Sequence, residues 1–338
     1  KKYKNYSTSE SLSNMNEKNS VVRLSMPSNE QILANDLIRG KLKFDSSLLD
    51  DPIIMKSDGY PTYHFANVVD DHSMRISHVI RGEEWLPSLP KHIHLYNCFE
   101  WEVPQFAHLP LLLNHDKTKL SKRQGNVAVE DYIRKGYLEE AVINFIALLG
   151  WHDSNNKEFY SMNDLIKSFS LNRIQSSGAI FDTKKLNWIN HYYLRLKSSS
   201  EILELAKNYI PYDWNVSKEM VDLIKEKTQK IEDIKRELNI FFKYSSPSLK
   251  ELQRDYPSSK ISKIKTALVK NLKQHSSIDK KTLNEVMKKI EEETNCRGKN
   301  LWQPVRIMLT GKSHGPDLSG FIAAIGIPKC IARLLNVK

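Results

Sequence analysis

The chain has 338 residues, enough for two or three domains and a sizeable core. At 40% hydrophobic and 27% charged it reads as globular, and its longest apolar runs are far too short to span a bilayer. A net charge of +11 favours an anionic partner, but Lys, Asn, Ser and Ile are abundant throughout, so charge alone carries little weight. Residues 1–20 hold almost no core-forming side chains, which predicts a disordered or loosely attached start without a secretory signal. Short apolar runs at 21–24, 41–44 and 53–55 predict strands of a small layer. A turn at 58–61 leads into a helix beginning over 63–70. The β-branched run 76–80 predicts a strand of a parallel sheet covered on both faces. Ser88 and Pro90 open a helix to about Phe99, and 106–113 reads as the next strand, closed by a polar turn at 114–117. Strand, helix and strand in this order predict a βαβ unit, half of a doubly wound sheet whose ligands gather at the carboxyl ends of strands. Arg81 and Lys119 both follow such ends. Gly136 and Gly150 are expected to close two helices, the second with its core face on Leu138, Ala141, Val142, Phe145, Leu148 and Leu149. From about residue 201 the pattern is amphipathic helix, with no strand alternation through 200–300.

The three cysteines, Cys98, Cys296 and Cys330, lie far apart without C-x-x-C spacing, so neither a disulfide framework nor a zinc site is expected. Cys98 and Cys330 have apolar neighbours and read as buried thiols. No P-loop or G-x-G-x-x-G pattern occurs, and the histidines show no H-E-x-x-H arrangement, so none is assigned to a metal.

The most informative stretch is TKLSKRQG (118–125), which puts Lys119, Lys122 and Arg123 beside Ser121 directly after an apolar strand. Mobile ammonium groups in such a loop can follow charge as it moves in phosphoryl transfer. Taken alone, the stretch would more often be a solvated basic turn. Its context is DGYPTYHFANVVDDHSMRISHVIRGEEW (58–85) and HLPLLLNHDKTKLSKRQGN (108–126). With GYLEEAVINFIALLGW, FDTKKLNWINHYYL and LWQPVRIMLTGKSHGPDLSGFIAAIG, these resemble the bacterial and organellar glutamyl-tRNA synthetases, a class I aminoacyl-tRNA synthetase family. KLSKR stands where that class carries its KMSKS-type signature, and the likeness runs from about Val21, weakest around 196–300.

The resemblance implies an α/β plus all-α fold: the second half of a Rossmann-type catalytic domain, then a helical stem-contact and anticodon-binding region. The implied division is an acceptor-binding insertion at 21–57, the catalytic fold at 58–135, a stem-contact domain at 136–195 and an anticodon-binding domain at 196–338. It implies ATP-dependent activation of L-glutamate and transfer to tRNA(Glu) by a monomer, and leaves open whether tRNA(Gln) is a second acceptor. Magnesium would come with ATP, and neither protein-bound zinc nor a membrane is involved.

Lys119 and Lys122 are the implied catalytic phosphate ligands, supported by Ser121 and Arg123. Glu84 is expected at the ATP ribose, and Leu111 and Leu112 at adenine through their backbone. Tyr63, His64, Asn67 and Arg81 form the implied glutamate pocket, where the Arg81 fork matches a carboxylate. Without the family likeness, an Arg81 ion pair with Glu83 or Glu84 would be the more ordinary reading, and Trp85 would simply be core. Lys184, Lys185 and Arg306 are candidates for tRNA contact, and Trp188 stands beside the first two. The family's His-x-Gly-His-like motif has no counterpart here, which predicts that the chain needs a missing amino-terminal half to act. A noncatalytic tRNA-binding module is the alternative. The bacterial-type pattern in a Lys/Asn/Ser-rich chain points to the mitochondrial matrix, with a bacterial cytoplasm as the other compartment.

Overall fold

The computed structural model describes residues 20–120, 128–247, 252, 256 and 258–337. The expectation for 1–20 therefore lies, Ser20 apart, outside the described residues, as do Ser121, Lys122 and Arg123 of the cationic loop. The strands are β1 (Val22–Arg23), β2 (Gln31–Asp36), β3 (Gly40–Asp45), β4 (Ile53–Met55), β5 (His78–Gly82), β6 (Gln105–Leu109), β7 (Leu112–Leu113) and β8 (Ala179–Ile180). The helices begin with α1 (Tyr63–Ser73), α2 (Leu89–Cys98), α3 (Val129–Arg134), α4 (Glu139–Ala147), α5 (Met162–Ser168), α6 (Thr183–Leu196) and α7 (Ser199–Ala206). They continue with α8 (Lys218–Lys225), α9 (Asp233–Phe242), α10 (Ser258–Leu272), α11 (Lys280–Thr294), α12 (Lys299–Thr310), α13 (Leu318–Ile325) and α14 (Ile327–Leu335). Two compact units result, Lys1–Val127 with Asn144–Asp182, and Ala128–Ile143 with Thr183–Lys338.

The first unit is built on a four-stranded sheet in the order β3-β2-β6-β5. β5, α2 and β6 form the expected βαβ unit, with Arg81 opposite His108 and Gly82 opposite Leu109 in parallel register. The β2–β3 hairpin joins that sheet through one parallel step, Asp36 opposite Phe106, reinforced by the Leu37 amide donating to the Phe106 carbonyl. Leu24, Met26, Ile32, Val68, Leu89, Ile93, Leu95, Tyr96 and Phe106 form the core between sheet and helices.

Four local expectations are corrected. A strand at 31–36, absent from the sequence reading, lies inside the main sheet between β3 and β6, with Ile32, Ala34 and Asp36 turned inward and Gln31, Leu33 and Asn35 exposed. The strand expected at 76–80 starts two residues later and is the sheet edge, so Ile80 is exposed rather than covered on both faces. The strand expected at 106–113 is broken at Pro110, which has no amide to donate to a ladder. β7 beyond it pairs with β8 in a separate sheet. Cys98, at the end of α2, is exposed, since its apolar neighbours point elsewhere on the helix; Cys330 is buried as expected.

The second unit is helical, and no strand falls within its described residues. Its helices carry strong local signals. Ser198 and Glu201 form a capping box before α7, Asp279 caps α11 by accepting from the Thr282 amide, and Gly311 ends α12 in the left-handed region. On α11 the buried positions Leu283, Val286, Met287, Ile290 and Thr294 keep helical spacing, which turns one apolar stripe inward. Arg333 on α14 is only 7% exposed and meets no carboxylate within the described residues. Its guanidinium instead donates to the Ile240, Phe241 and Leu309 carbonyls near the carboxyl ends of α9 and α12, and lies over the Tyr244 ring. The negative ends of two helix dipoles thus hold one buried cation.

Gly136 follows α3 with φ of +76°, and its carbonyl accepts from the Ile231 amide at 2.9 Å. An added Cβ would stand 2.6 Å from the Glu232 amide nitrogen. Gly136→Ala is expected to destabilise this unit by about 2–4 kcal/mol, from left-handed strain plus backbone overlap. A thermal melt in which the variant matches the parent would refute this.

Candidate active site

α1 begins after Thr62 and carries Tyr63, His64 and Asn67 on its first turns. β5 presents Arg81 toward them. Because Arg81 and His108 are register partners on adjacent parallel strands, their side chains share one face of the sheet, and Arg81 Nε donates to His108 Nε2 at 3.0 Å. Arg81 Nη1 lies 3.2 Å from His92 Nδ1, and His92 Nε2 lies 2.9 Å from His64 Nδ1. The remaining guanidinium nitrogen, Nη2, is buried without a hydrogen-bonded partner among the described residues. Tyr63, 51% exposed, stacks obliquely on Trp85 at 4.9 Å, and Trp85 in turn lies beneath the Arg81 guanidinium.

Arg81 forms no ion pair with Glu83 or Glu84. Glu83 binds Arg39 and accepts from the Leu111 amide, while Glu84 pairs with Lys119 at 3.2 Å. Trp85, read alone as core, is 36% exposed beside the pocket. Asn67 reaches Asp71 within its own helix at 3.1 Å. Tyr63, His64, Arg81, Trp85 and His92 thus converge, with Asn67 one turn further along α1.

The electrostatics are those of a cation short of countercharge. Burial pulls the Arg81 guanidinium below its ordinary value, against the influence of Tyr63 and Asp71. A guanidinium stays protonated and can only donate, so the imidazole nitrogens facing it must be acceptors, and both rings are neutral. Burial, then the Arg81 charge, pushes His92 down to about 3, and burial lowers His64 and His108 as well. The unfolded chain therefore binds a proton at His92 that the folded chain refuses between its ordinary value of 6.5 and about 3. Stability from a neutral His92 is complete above that window and is lost as pH falls through it, about 5 kcal/mol at most. His92→Gln is expected to flatten the fall of unfolding free energy between those pH values, and an unchanged slope would count against this account.

Gly82 lets Glu84 fold back, since a Cβ there would meet Glu84 Oε2 at 2.1 Å. Its own amide, and then Lys119, hold the Glu84 carboxyl below its ordinary value. Lys119 bridges to Leu113, and the Leu120 amide donates to the Leu112 carbonyl, so these two residues fold back on β7. Both partners of the Glu84–Lys119 pair are about half exposed, which makes it weak and open to displacement by a phosphate. The Leu111 amide is occupied by Glu83 and its carbonyl by the Ala179 amide. Together with the Leu112 carbonyl, three of the four backbone groups expected at adenine already have partners.

In the other unit, Lys184 and Lys185 occupy the first turn of α6, the first exposed and the second half-buried, with Trp188 exposed one turn on. Arg306 donates to the Pro316 carbonyl at 2.6 Å, and Gln303 to the Ser313 carbonyl, so α12 carries the loop at 311–317.

Sequence reading missed His92, His108 and Asp36 as neighbours of Arg81. His108 lies within the quoted HLPLLL run, but its place opposite Arg81 depends on which strands pair, and no local signal reports that.

This arrangement, on a nucleotide-binding βαβ unit with a cationic loop and a helical second unit, defines a class I aminoacyl-tRNA synthetase fold. Residues 2–188 match the tRNA synthetases class I (E and Q) catalytic domain, and residues 201–338 match an anticodon binding domain. A glutamate–tRNA ligase of Alkaliphilus metalliredigens is 42% identical over 94% of this chain and 67% of its own length, and one of Clostridioides difficile is 41% identical with the same coverage. The crystal structure of an Elizabethkingia meningosepticum glutamate tRNA ligase, in complex with its amino acid, superposes with a TM-score of 0.86 at 34% identity, covering 98% of this chain and 70% of that one. The chain belongs to the glutamate–tRNA ligase family and spans about two thirds of the length of these relatives.

Proposed function

We propose that this chain contributes Arg81 and the cationic loop to a glutamate–tRNA ligase that binds L-glutamate, activates it with ATP and transfers it to tRNA(Glu). The observation that carries the reading is the Arg81 guanidinium: buried on one edge, held by two neutral imidazoles, and with one nitrogen left to donate. A γ-carboxylate satisfies both the charge and the open donor; a neutral amide satisfies only the donor. Tyr63 and Asn67 orient the amino acid, and His64 backs the pocket. An α-carboxylate oxygen of glutamate attacks the α-phosphorus of ATP, pyrophosphate leaves, and the terminal ribose hydroxyl of tRNA then displaces AMP. Lys119 and Lys122 neutralise the phosphates, with Ser121 and Arg123 in support, Glu84 meets the ribose, and the backbone at Leu111 and Leu112 borders adenine. Magnesium enters as part of the nucleotide.

For tRNA, Lys184 and Lys185 add two cations to the positive end of the α6 dipole, an arrangement that costs helix stability and favours phosphate. Arg306 acts by presenting the loop at 311–317. The protein works as a monomer in the mitochondrial matrix, a compartment supported by the bacterial-type pattern in a Lys/Asn/Ser-rich chain.

The test is transfer of labelled glutamate to tRNA(Glu) and, separately, to tRNA(Gln). It is run with the chain by itself and with a separately made amino-terminal half of a relative. Transfer that falls by about 10²–10³ in Lys122→Ala supports the reading. Retained, salt-sensitive tRNA binding without transfer in either arrangement would favour a binding module instead.

A further inference from the structure

We infer that Asp36, acting through His108, is a positioning residue that fixes the guanidinium of Arg81 for its carboxylate ligand. The inference rests on the proposed role of Arg81 and adds what aims it. Asp36 and His108 are both essentially inaccessible to solvent, at 2% and 0% exposure. One carboxylate oxygen of Asp36, Oδ1, accepts from the Ile38 and Arg39 amides at 3.0 and 2.9 Å, which pins the turn after β2. The other, Oδ2, accepts from the His108 amide at 3.1 Å and lies 2.6 Å from His108 Nδ1. That geometry places the imidazole proton on Nδ1 and leaves Nε2 as the acceptor for Arg81 Nε, as observed at 3.0 Å. Were the proton on Nε2 instead, two N–H groups would face each other and the guanidinium would have to turn away. The same logic closes the far side: His92 Nδ1 accepts from Arg81 Nη1, so His92 Nε2 carries the proton toward His64 Nδ1.

Every ring in the set has one usable tautomer; at His108 the Asp36 carboxylate enforces it from behind, in the same sense as the Arg81 cation in front. Though burial opposes it, the His108 hydrogen bond and backbone amides hold the Asp36 carboxyl below its ordinary value, so it stays an acceptor. Two constrained contacts on one guanidinium leave Nη2 a single direction, toward Tyr63 and the open side of α1. A carboxylate buried behind a histidine that touches a ligand-binding arginine is thus a device for orientation. It lies 72 residues from His108 in sequence, on the β2–β3 hairpin rather than on the βαβ unit.

Asp36→Asn tests this directly. The asparagine oxygen can keep the Ile38 and Arg39 amides and the longer, 3.3 Å contact from the His108 amide, while its NH₂ replaces Oδ2 and forces His108 Nδ1 to accept. In ¹⁵N spectra of the full chain the His108 proton is expected to move from Nδ1 to Nε2. The dissociation constant for L-glutamate is expected to rise about a hundredfold, preference over L-glutamine to shrink, and ATP binding to stay unchanged. A shifted tautomer with unaltered glutamate affinity overturns the inference, as does an unshifted one. If Asp36→Asn does not fold, His108→Gln against His108→Leu decides: glutamine keeps an acceptor for Arg81 Nε and should bind glutamate more tightly, and equal affinities overturn the inference. Arg81→Lys is the control for the underlying reading. Undiminished glutamate binding in that variant, or none in the parent, refutes the Arg81 assignment itself, whereas loss there with normal binding in Asp36→Asn refutes only the positioning role.

Discussion

Arg81→Lys is expected to leave the fold intact and weaken L-glutamate binding by about 3 kcal/mol, near a hundredfold in dissociation constant. The substitution keeps the positive charge, so a simple electrostatic account would predict little change. What it removes is the planar fork. Arg81 uses Nε for His108 and Nη1 for His92, and still holds Nη2 in reserve. An ammonium on a flexible stem is a single point of donation and cannot serve two imidazoles and a carboxylate along fixed directions. Calorimetric titration with L-glutamate checks the prediction; a lysine variant that binds as the parent does would mean that charge alone suffices, or that the carboxylate is read elsewhere.

Arg333→Met is expected to cost the helical unit about 3–5 kcal/mol and to lower its unfolding temperature, without touching the cluster around Arg81. Methionine comes close to the lost volume but donates to nothing. The Ile240, Phe241 and Leu309 carbonyls would stay buried without their donor, and each such acceptor carries a desolvation penalty of about 1–3 kcal/mol. The Tyr244 ring would lose the cation above it while its hydroxyl still donates to the Met308 carbonyl. Arg333→Lys should fall between parent and methionine, retaining charge but reaching fewer carbonyls. A melt that ranks lysine no better than methionine would show that the hydrogen-bond fork carries all of the effect.

The sequence made the helical half legible because helices are local objects. The stripe from Leu283 to Ile290, the cap at Asp279 and the stop at Gly136 are written within a few residues of where they act. The sheet was harder. Pro110 divides a run that is apolar throughout, and hydropathy could not say that 112–113 belongs to a different sheet from 105–109. β2 escaped notice because its inward face ends on a buried carboxylate, Asp36, while an apolar residue, Leu33, stands on the exposed face, so no polar/apolar alternation is visible. Within the candidate site, Tyr63, His64 and Arg81 could be named through family likeness and do converge, and Lys119 reaches Glu84. Asp36 and His108 were out of reach, since their meaning depends on a register pairing across separate strands. Cys98 shows the opposite failure, where apolar neighbours in sequence were not neighbours in space.

The span of the Asp36–His108 contact also dictates an order of assembly. During synthesis the β2–β3 hairpin is made well before β6, and its buried carboxylate has no imidazole to meet until residue 108 has emerged. The hairpin can form early, because its strands are adjacent in the chain, whereas the pocket closes only on docking of β6, a contact of high sequence separation and therefore late and slow. A nascent chain paused between α2 and β6 would hold Arg81 with His92 but without His108 and the Asp36 carboxylate behind it. The Arg81–His108–Asp36 cluster is thus completed in one late step.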